Sequence, residues 1–392
     1  MKRRSFIQTS VAGLAGIGAT AAAGGRLLGF SDDKPKMSAS GFITRKLGKT
    51  GYILPVVSLG VMNSENPEIV RAALDGGMIH LDTANGYQRG TNESMIGAVL
   101  KGRPRASYVI ATKVPGIPRD RTTGLFSPET TGETWLKNIE VSLKRLELDY
   151  VDIIYLHNVM KREAVLFEPL MKALEKVKAD GRAKFVGVST HANEHEVIRA
   201  VLEGKFHDVV LSAYNFRKTN LASLDAAIAD AVKAGIGIVA MKTLAGGFWD
   251  EERQRPINTD AALKFALNNP NITTAIPGCT TFDQLKANLE VGKNITLTPQ
   301  EIKDLKLDTK TGGFYCQQCS RCLPQCPRNL PIPSLMRGYM YARGYQNVDL
   351  AKDVLAEAGV AGNPCGECES CAVKCAMRFD IKSRVTALTA LA

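Results

Sequence analysis

Eight short apolar runs, separated by longer amphipathic stretches, dominate the chain from about Val56 to Asn288. The runs are VVSLG (56–60), MIHLD (78–82), YVIATK (108–113), VDIIYLH (151–157), FVGVS (185–189), VVLSAY (209–214), IGIVAMK (236–242) and ITTAIPG (272–278). Helical patterns fill the intervals, for example 68–75, 133–146, 169–178, 194–202 and 221–234. Strands that alternate with helices predict a parallel sheet buried on both faces. Eight such units in one span fit a closed (β/α)8 TIM barrel better than an open doubly wound sheet. No Gly-x-Gly-x-x-Gly follows the first run, which counts against a Rossmann domain.

A capped helix at LTPQEIKDLKLD (297–308) closes this pattern, with Thr298 and Glu301 in capping-box spacing. Beyond it the composition changes. Cys316, Cys319, Cys322 and Cys326 form one C-x2-C-x2-C-x3-C run, and Cys365, Cys368, Cys371 and Cys375 form a second. This is the spacing with which bacterial ferredoxins wrap a four-iron cluster, and the fourth cysteine of each run then ligates the other cluster. One 4Fe-4S cluster is therefore expected on Cys316, Cys319, Cys322 and Cys375, and another on Cys365, Cys368, Cys371 and Cys326. A disulfide framework or zinc sites are the rival readings, and two full copies of the cluster spacing disfavour both. Helical stretches at 334–345 and 349–359 make the expected second domain small and mainly helical, ferredoxin-like but unlike the compact sheet type. The expected layout is a leader and linker (1–36), a barrel (42–306) and a 4Fe-4S domain (307–385).

The leader carries KRRSFIQ (2–8), then an apolar Gly/Ala-rich run from Val11 to Ala23 that is short for a membrane span. It resembles a twin-arginine signal. That implies export by the twin-arginine translocase to the periplasm; an uncleaved leader acting as membrane anchor and an ordinary basic N-terminus are the alternatives. The route carries proteins already folded, which reconciles export with cysteines spaced for iron. The net charge of +11 does not point to nucleic acid, because Lys and Arg are scattered among Asp and Glu along the whole chain.

Barrel catalysis sits on the C-terminal rim of the strands. Among the run ends there are the ionisable residues Asp82, Lys113 and His157, and Tyr87 follows Asp82 by five positions. Hydride delivery to a carbonyl builds negative charge on oxygen, so such a site needs a proton donor. A neighbouring Lys113 ammonium is expected to lower the Tyr87 pKa, Asp82 to hold Lys113 charged, and His157 to orient the carbonyl oxygen.

The segments 45–61, HLDTANGYQRGTNESMIGAVL (80–100), VIATKV (109–114), DIIYLH (152–157), GVSTH (187–191), VLSAYNF (210–216) and AIPGCTTFDQLKANL (275–289) resemble the aldo-keto reductases. The resemblance implies a (β/α)8 barrel that binds NAD(P)H at the strand ends, with Tyr87 as general acid, Lys113 and Asp82 tuning it, and His157 orienting an aldehyde, ketone or sugar-derived substrate. It also places cofactor contacts at Ser189, Thr190, Tyr214, Lys242, Gly278, Gln284 and Asn288. Gly278 and Gln284 stand where NADP-preferring members carry cations, which favours NADH or dual use. Members with a C-terminal ferredoxin-like domain form a recognisable subgroup, which this chain resembles over nearly its full length. Its clusters either exchange electrons with an external partner or serve structure alone. A nicotinamide-binding redox carrier or sensor without turnover, and a sugar–sugar oxidoreductase with a non-exchanging cofactor, are the competing functions.

Overall fold

In the computed structural model, which describes residues 36–38, 41–120, 122–306 and 313–391, eight parallel strands follow one another around a barrel. They are Leu59–Gly60, His80–Asp82, Val109–Val114, Val151–Leu156, Ala183–Thr190, Val209–Ala213, Gly237–Met241 and Thr274–Ala275. Each pairs in parallel with its sequence neighbour. Parallel bridges Val57–Ala275 and Gly60–Gly278 join the last strand to the first. The expected α/β barrel is thus the observed one.

Strand periodicity then decides which residues meet inside. Val109 and Ala111, Ile153 and Tyr155, Val209 and Leu211, and Val239 and Met241 form one cluster in the barrel interior. A hairpin ahead of the barrel, Ile43–Lys46 with Ile53–Pro55, adds Leu47 and Leu54 to that cluster. Alternate residues face the flanking helices: Ile110, Ile154, Val186 and Val210 pack with Ile96, Trp135, Ile139 and Leu143. Continuing the inward register by two residues from Ala111 and from Tyr155 reaches Lys113 and His157. The fold itself therefore aims these side chains at the rim.

The described residues make one compact unit. Beyond the barrel come helices Ile332–Tyr339, Val348–Ala358 and Ile381–Thr389, with a single π-helical turn at Met340–Gly344. This region shares a core with the barrel's own rim loops: Ala245, Trp249, Ile257 and Ala262 pack with Phe314, Tyr315, Leu335 and Met336. Arg384, 2% exposed, ties the two parts together by bonding Glu251 and the Gly313 carbonyl and lying 3.6 Å over the Phe379 ring. Among the described residues no helix is long and apolar enough to cross a membrane. The leader lies outside the described residues.

Candidate active site

The loop after the second strand is pinned before it delivers its tyrosine. Thr83 N–H donates to the Ala111 carbonyl (2.9 Å), and Asn85 N–H donates to that of Lys113 (2.9 Å). Arg145 holds the Asn85 carbonyl at 2.8 Å. Gly90, at φ +95°, lies under the same guanidinium, and a Cβ there would come within 2.2 Å of Cζ. Only glycine therefore lets the chain turn from Tyr87 into the next helix, Thr91–Leu100.

Three of the four expected catalytic side chains form a bonded chain. Lys113 Nζ lies 2.5 Å from Asp82 Oδ1 and donates to the Thr83 carbonyl (2.5 Å) and the Tyr87 hydroxyl (3.3 Å). Burial works against the Lys113 ammonium, but Asp82 and Tyr87 outweigh it and its pKa is raised, so it stays charged. The Tyr87 and His157 rings stand edge to face, with centroids 6.2 Å apart. Burial, reinforced by Lys113, Arg119, Arg337 and Lys242, holds the His157 imidazole well below its ordinary pKa and hence neutral at pH 7.

The expected downward shift of Tyr87 does not hold in this structure. Desolvation of the phenol raises its pKa by more than Lys113 lowers it. Tyr87 therefore keeps its proton throughout the neutral range, as suits a donor that releases it only when negative charge develops on a bound oxygen. Lys113 then acts by steadying that late phenolate.

Tyr87 and His157 open into one cavity of about 500 Å³. Among the expected cofactor contacts, Lys242, Gly278, Gln284 and Asn288 line it. Ser189, Thr190 and Tyr214 are placed elsewhere. Ser189 Oγ accepts from Asn158 N–H, Thr190 Oγ1 donates to the Ala192 carbonyl, and Tyr214 bonds Asp225 with its ring stacked on Phe265. Gln284 Oε1 accepts from Thr280 N–H (2.8 Å), and Asn288 Nδ2 lies 3.0 Å from Cys279 Sγ. Of the aromatics in the long rim loops, Phe248 lines the cavity, whereas Trp249 and Phe126 do not.

The cavity has a roof that sequence reasoning missed. Arg337, Tyr341, Tyr345 and Glu357 of the C-terminal region line it together with Arg119 and His191 of the barrel. Arg337 and Tyr341 are four residues apart, one face of a helix, and an arginine in the otherwise apolar SLMRGYMY was the available signal.

The thiols group as the ligand crossover requires. Cys326, Cys365, Cys368 and Cys371 line one small cavity of about 30 Å³, although Cys326 belongs to the first run. The charge neighbours of Cys316 are Cys375, Cys322 and Cys319. Gln325 Oε1 accepts from Lys374 N–H (2.7 Å), and Arg328 pairs with Glu367, so the runs are also joined by polar contacts. Among the described residues no three such side chains converge on a single-ion site. Thiolates are the ligands that four-iron clusters take, so the chemistry of the two cysteine groups suits such clusters. Cys316 also borders a cavity of about 20 Å³ lined by His191, Lys242 and Arg337, each of which lines the main cavity too. One layer of side chains therefore separates Cys316 from the main cavity.

The aldo/keto reductase family profile matches residues 57–261, and that of a 4Fe-4S dicluster domain matches residues 315–380. A D-threo-aldose 1-dehydrogenase from Pseudomonas sp is 26% identical over 235 residues, spanning 55% of this chain and 71% of that protein. An L-galactose dehydrogenase from Arabidopsis thaliana is 27% identical over 308 residues, spanning 68% and 91%. An aldo-keto reductase from Bacillus halodurans, solved in its holo form, shares the fold with a TM-score of 0.55 at 22% identity, covering 68% of this chain and 95% of that one.

Proposed function

The chain belongs to the aldo/keto reductase family and is an oxidoreductase with a C-terminal 4Fe-4S dicluster domain, and from that premise we propose that it reduces an aldehyde or ketone to an alcohol with NAD(P)H. The carrying observation is the chain Asp82–Lys113–Tyr87 meeting a neutral His157 at the mouth of one cavity. The nicotinamide, when bound, supplies a hydride to the carbonyl carbon. Tyr87 Oη gives its proton to the carbonyl oxygen, His157 hydrogen-bonds that oxygen, and Lys113 steadies the phenolate left behind. Relatives named for aldoses and galactose support a sugar-derived substrate. The absence of cations at Gly278 and Gln284 supports NADH or dual use.

Export through the twin-arginine translocase rests on KRRSFIQ and the apolar run after it. Two clusters, on Cys316, Cys319, Cys322, Cys375 and on Cys365, Cys368, Cys371, Cys326, carry single electrons to or from an external partner. The thin layer between Cys316 and the cavity favours this over a purely structural role. A sugar–sugar oxidoreductase with a captive nicotinamide is the second reading, favoured by the roof that Arg337, Tyr341 and Tyr345 place on the cavity.

Anaerobic purification followed by assays of iron, bound nucleotide and aldehyde reduction tests both. Turnover with added NADH or NADPH supports the reductase. Copurified nicotinamide that neither exchanges nor dissociates supports the second reading, and binding without reduction of any aldehyde contradicts both.

A further inference from the structure

The cavity holds more positive charge than the protein neutralises. Elsewhere the fold pairs its deeply buried cations: Lys113 faces Asp82, Lys218 faces Glu194 and Arg384 faces Glu251, each cation no more than 2% exposed. That pairing is the expected solution, because a buried charge without a partner is costly. Four cavity cations lack it, among them Arg253, which lies 4.7 Å from the centre of the Phe248 ring. Arg337, 7% exposed, donates through Nη1 to Asn158 Oδ1 (3.3 Å). Arg119 Nη1 donates to the Asn158 carbonyl (3.0 Å). Lys242 Nζ lies 3.7 Å from Met62 Sδ and 4.6 Å from the centre of the Tyr341 ring. None of the four forms an ion pair among the described residues. Three carboxylates also line the cavity. Asp82 is paired with Lys113 and Asp353 with Arg89 at 3.2 Å, which leaves Glu357, near enough to act on Arg119, against four cations.

The surplus is also well placed. Both guanidinium groups converge on Asn158, the residue after His157, one reaching it from a barrel loop and the other from the C-terminal domain. Asn158 is itself fixed, at φ +58° with its N–H donating to Ser189 Oγ at 2.9 Å. Both guanidinium groups lie near enough to the catalytic imidazole to act on it, and each has further N–H groups of the kind a bidentate acceptor takes. Of the cavity residues where the family resemblance puts the nucleotide, Gly278, Gln284 and Asn288 carry no charge and Lys242 is a cation.

Resting on the carbonyl-reductase reading, we propose that the substrate is an oxo acid, whose carboxylate is clamped by Arg119 and Arg337 while its carbonyl lies between Tyr87 and His157. Lys242 adds long-range attraction. The ferredoxin-like domain is then part of the substrate site, because it supplies one arm of the clamp.

The test uses the full-length chain, purified anaerobically with its iron, and a matched pair of probes: 3-carboxybenzaldehyde and its neutral amide, 3-formylbenzamide. Dissociation constants are measured by calorimetry in saturating nicotinamide nucleotide of the oxidised form, so that binding is read without turnover. The carboxylate is expected to bind at least about tenfold tighter than the amide, as charge-assisted bidentate hydrogen bonds allow. The preference should fall to within about threefold in Arg337→Gln and in Arg119→Gln, and partly return in Arg337→Lys. Equal binding of the two probes to the unmodified protein overturns the proposal, as does a preference that survives both substitutions together. Loss of nucleotide affinity in Arg337→Gln, with the carboxylate preference intact, also overturns it and assigns the cations to the dinucleotide. Should Arg337→Gln lose its iron, the unmodified protein and Arg119→Gln, which lies outside the iron domain, still decide. Failure of the reductase reading is a separate result: the acid binds preferentially, yet neither aldehyde is reduced.

Discussion

Replacing Lys113 with Met leaves Asp82, 1% exposed, without its counter-ion. Breaking a buried ion pair from one side typically costs about 3–5 kcal/mol, because the remaining charge is stranded. Asp82 has one escape, which is to take up a proton. At pH 7 that costs about 4 kcal/mol, at about 1.36 kcal/mol for each unit between pH 7 and a carboxyl value of about 3.9. At pH 5 the same escape costs only about 1.5 kcal/mol. In the variant the folded carboxyl lies above its unfolded value, so the penalty grows as pH rises. Urea unfolding followed by circular dichroism, under argon, should therefore show Lys113→Met destabilised by about 4 kcal/mol at pH 7 and by less than about 2 kcal/mol at pH 5. Adding Asp82→Asn should recover much of the pH 7 loss while leaving activity abolished. A penalty equal at both pH values, or a double variant no better than the single, would refute the claim that a stranded Asp82 sets the cost.

Tyr87→Phe should lower kcat for aldehyde reduction by about 10²–10⁴-fold, the range for a general acid, with nucleotide binding unchanged by fluorescence titration. Because burial holds the Tyr87 proton, reduction by the intact protein should show no loss of rate from pH 7 to 9; a falling limb in that interval contradicts the assignment. Cys326→Ser and Cys365→Ser should give matching electron paramagnetic resonance spectra, each losing the same one of two cluster signals, whereas Cys322→Ser should disturb the other. His80 and His207 are each held at about 4 by burial, against about 6.5 when unfolded, so acid favours the unfolded chain. Stability should fall by roughly 2 kcal/mol per histidine from pH 7 to pH 5, and His207→Phe should remove its share of that slope in denaturation curves.

The barrel was legible because parallel strands buried on both faces leave continuous apolar runs, and each of the eight barrel strands overlaps one of the eight runs. Asp82, Lys113 and His157 were legible for a related reason: they are the polar ends of those runs, and the rim is where a barrel puts chemistry. What depends on three-dimensional closure was not. Arg337 and Tyr341 reach the cavity only because the C-terminal helices fold back over it, a contact nearly 180 residues long for Arg337 and Asn158. Tyr214 and Ser189, expected from the resemblance as cofactor contacts, hydrogen-bond Asp225 and the Asn158 N–H in this structure. The sign of the Tyr87 shift needed burial as well as neighbours: sequence supplies the lysine, and only the fold supplies the desolvation that outweighs it. Spacing alone led to the expectation that Cys326 belongs with the second run, and in the structure it lines one cavity with Cys365, Cys368 and Cys371.

The most direct measurement follows a labelled hydride. Full-length protein, prepared anaerobically, is given nicotinamide nucleotide carrying deuterium at C4 and a panel of aldehydes that includes glyceraldehyde and 3-carboxybenzaldehyde, and the products are read by mass spectrometry. The account predicts deuterium on the new alcohol carbon from one face of the nicotinamide only, and a transfer slowed at least about 100-fold in Tyr87→Phe. Nucleotide that binds but passes no deuterium to any carbonyl, or transfer that survives Tyr87→Phe at full rate, would contradict it.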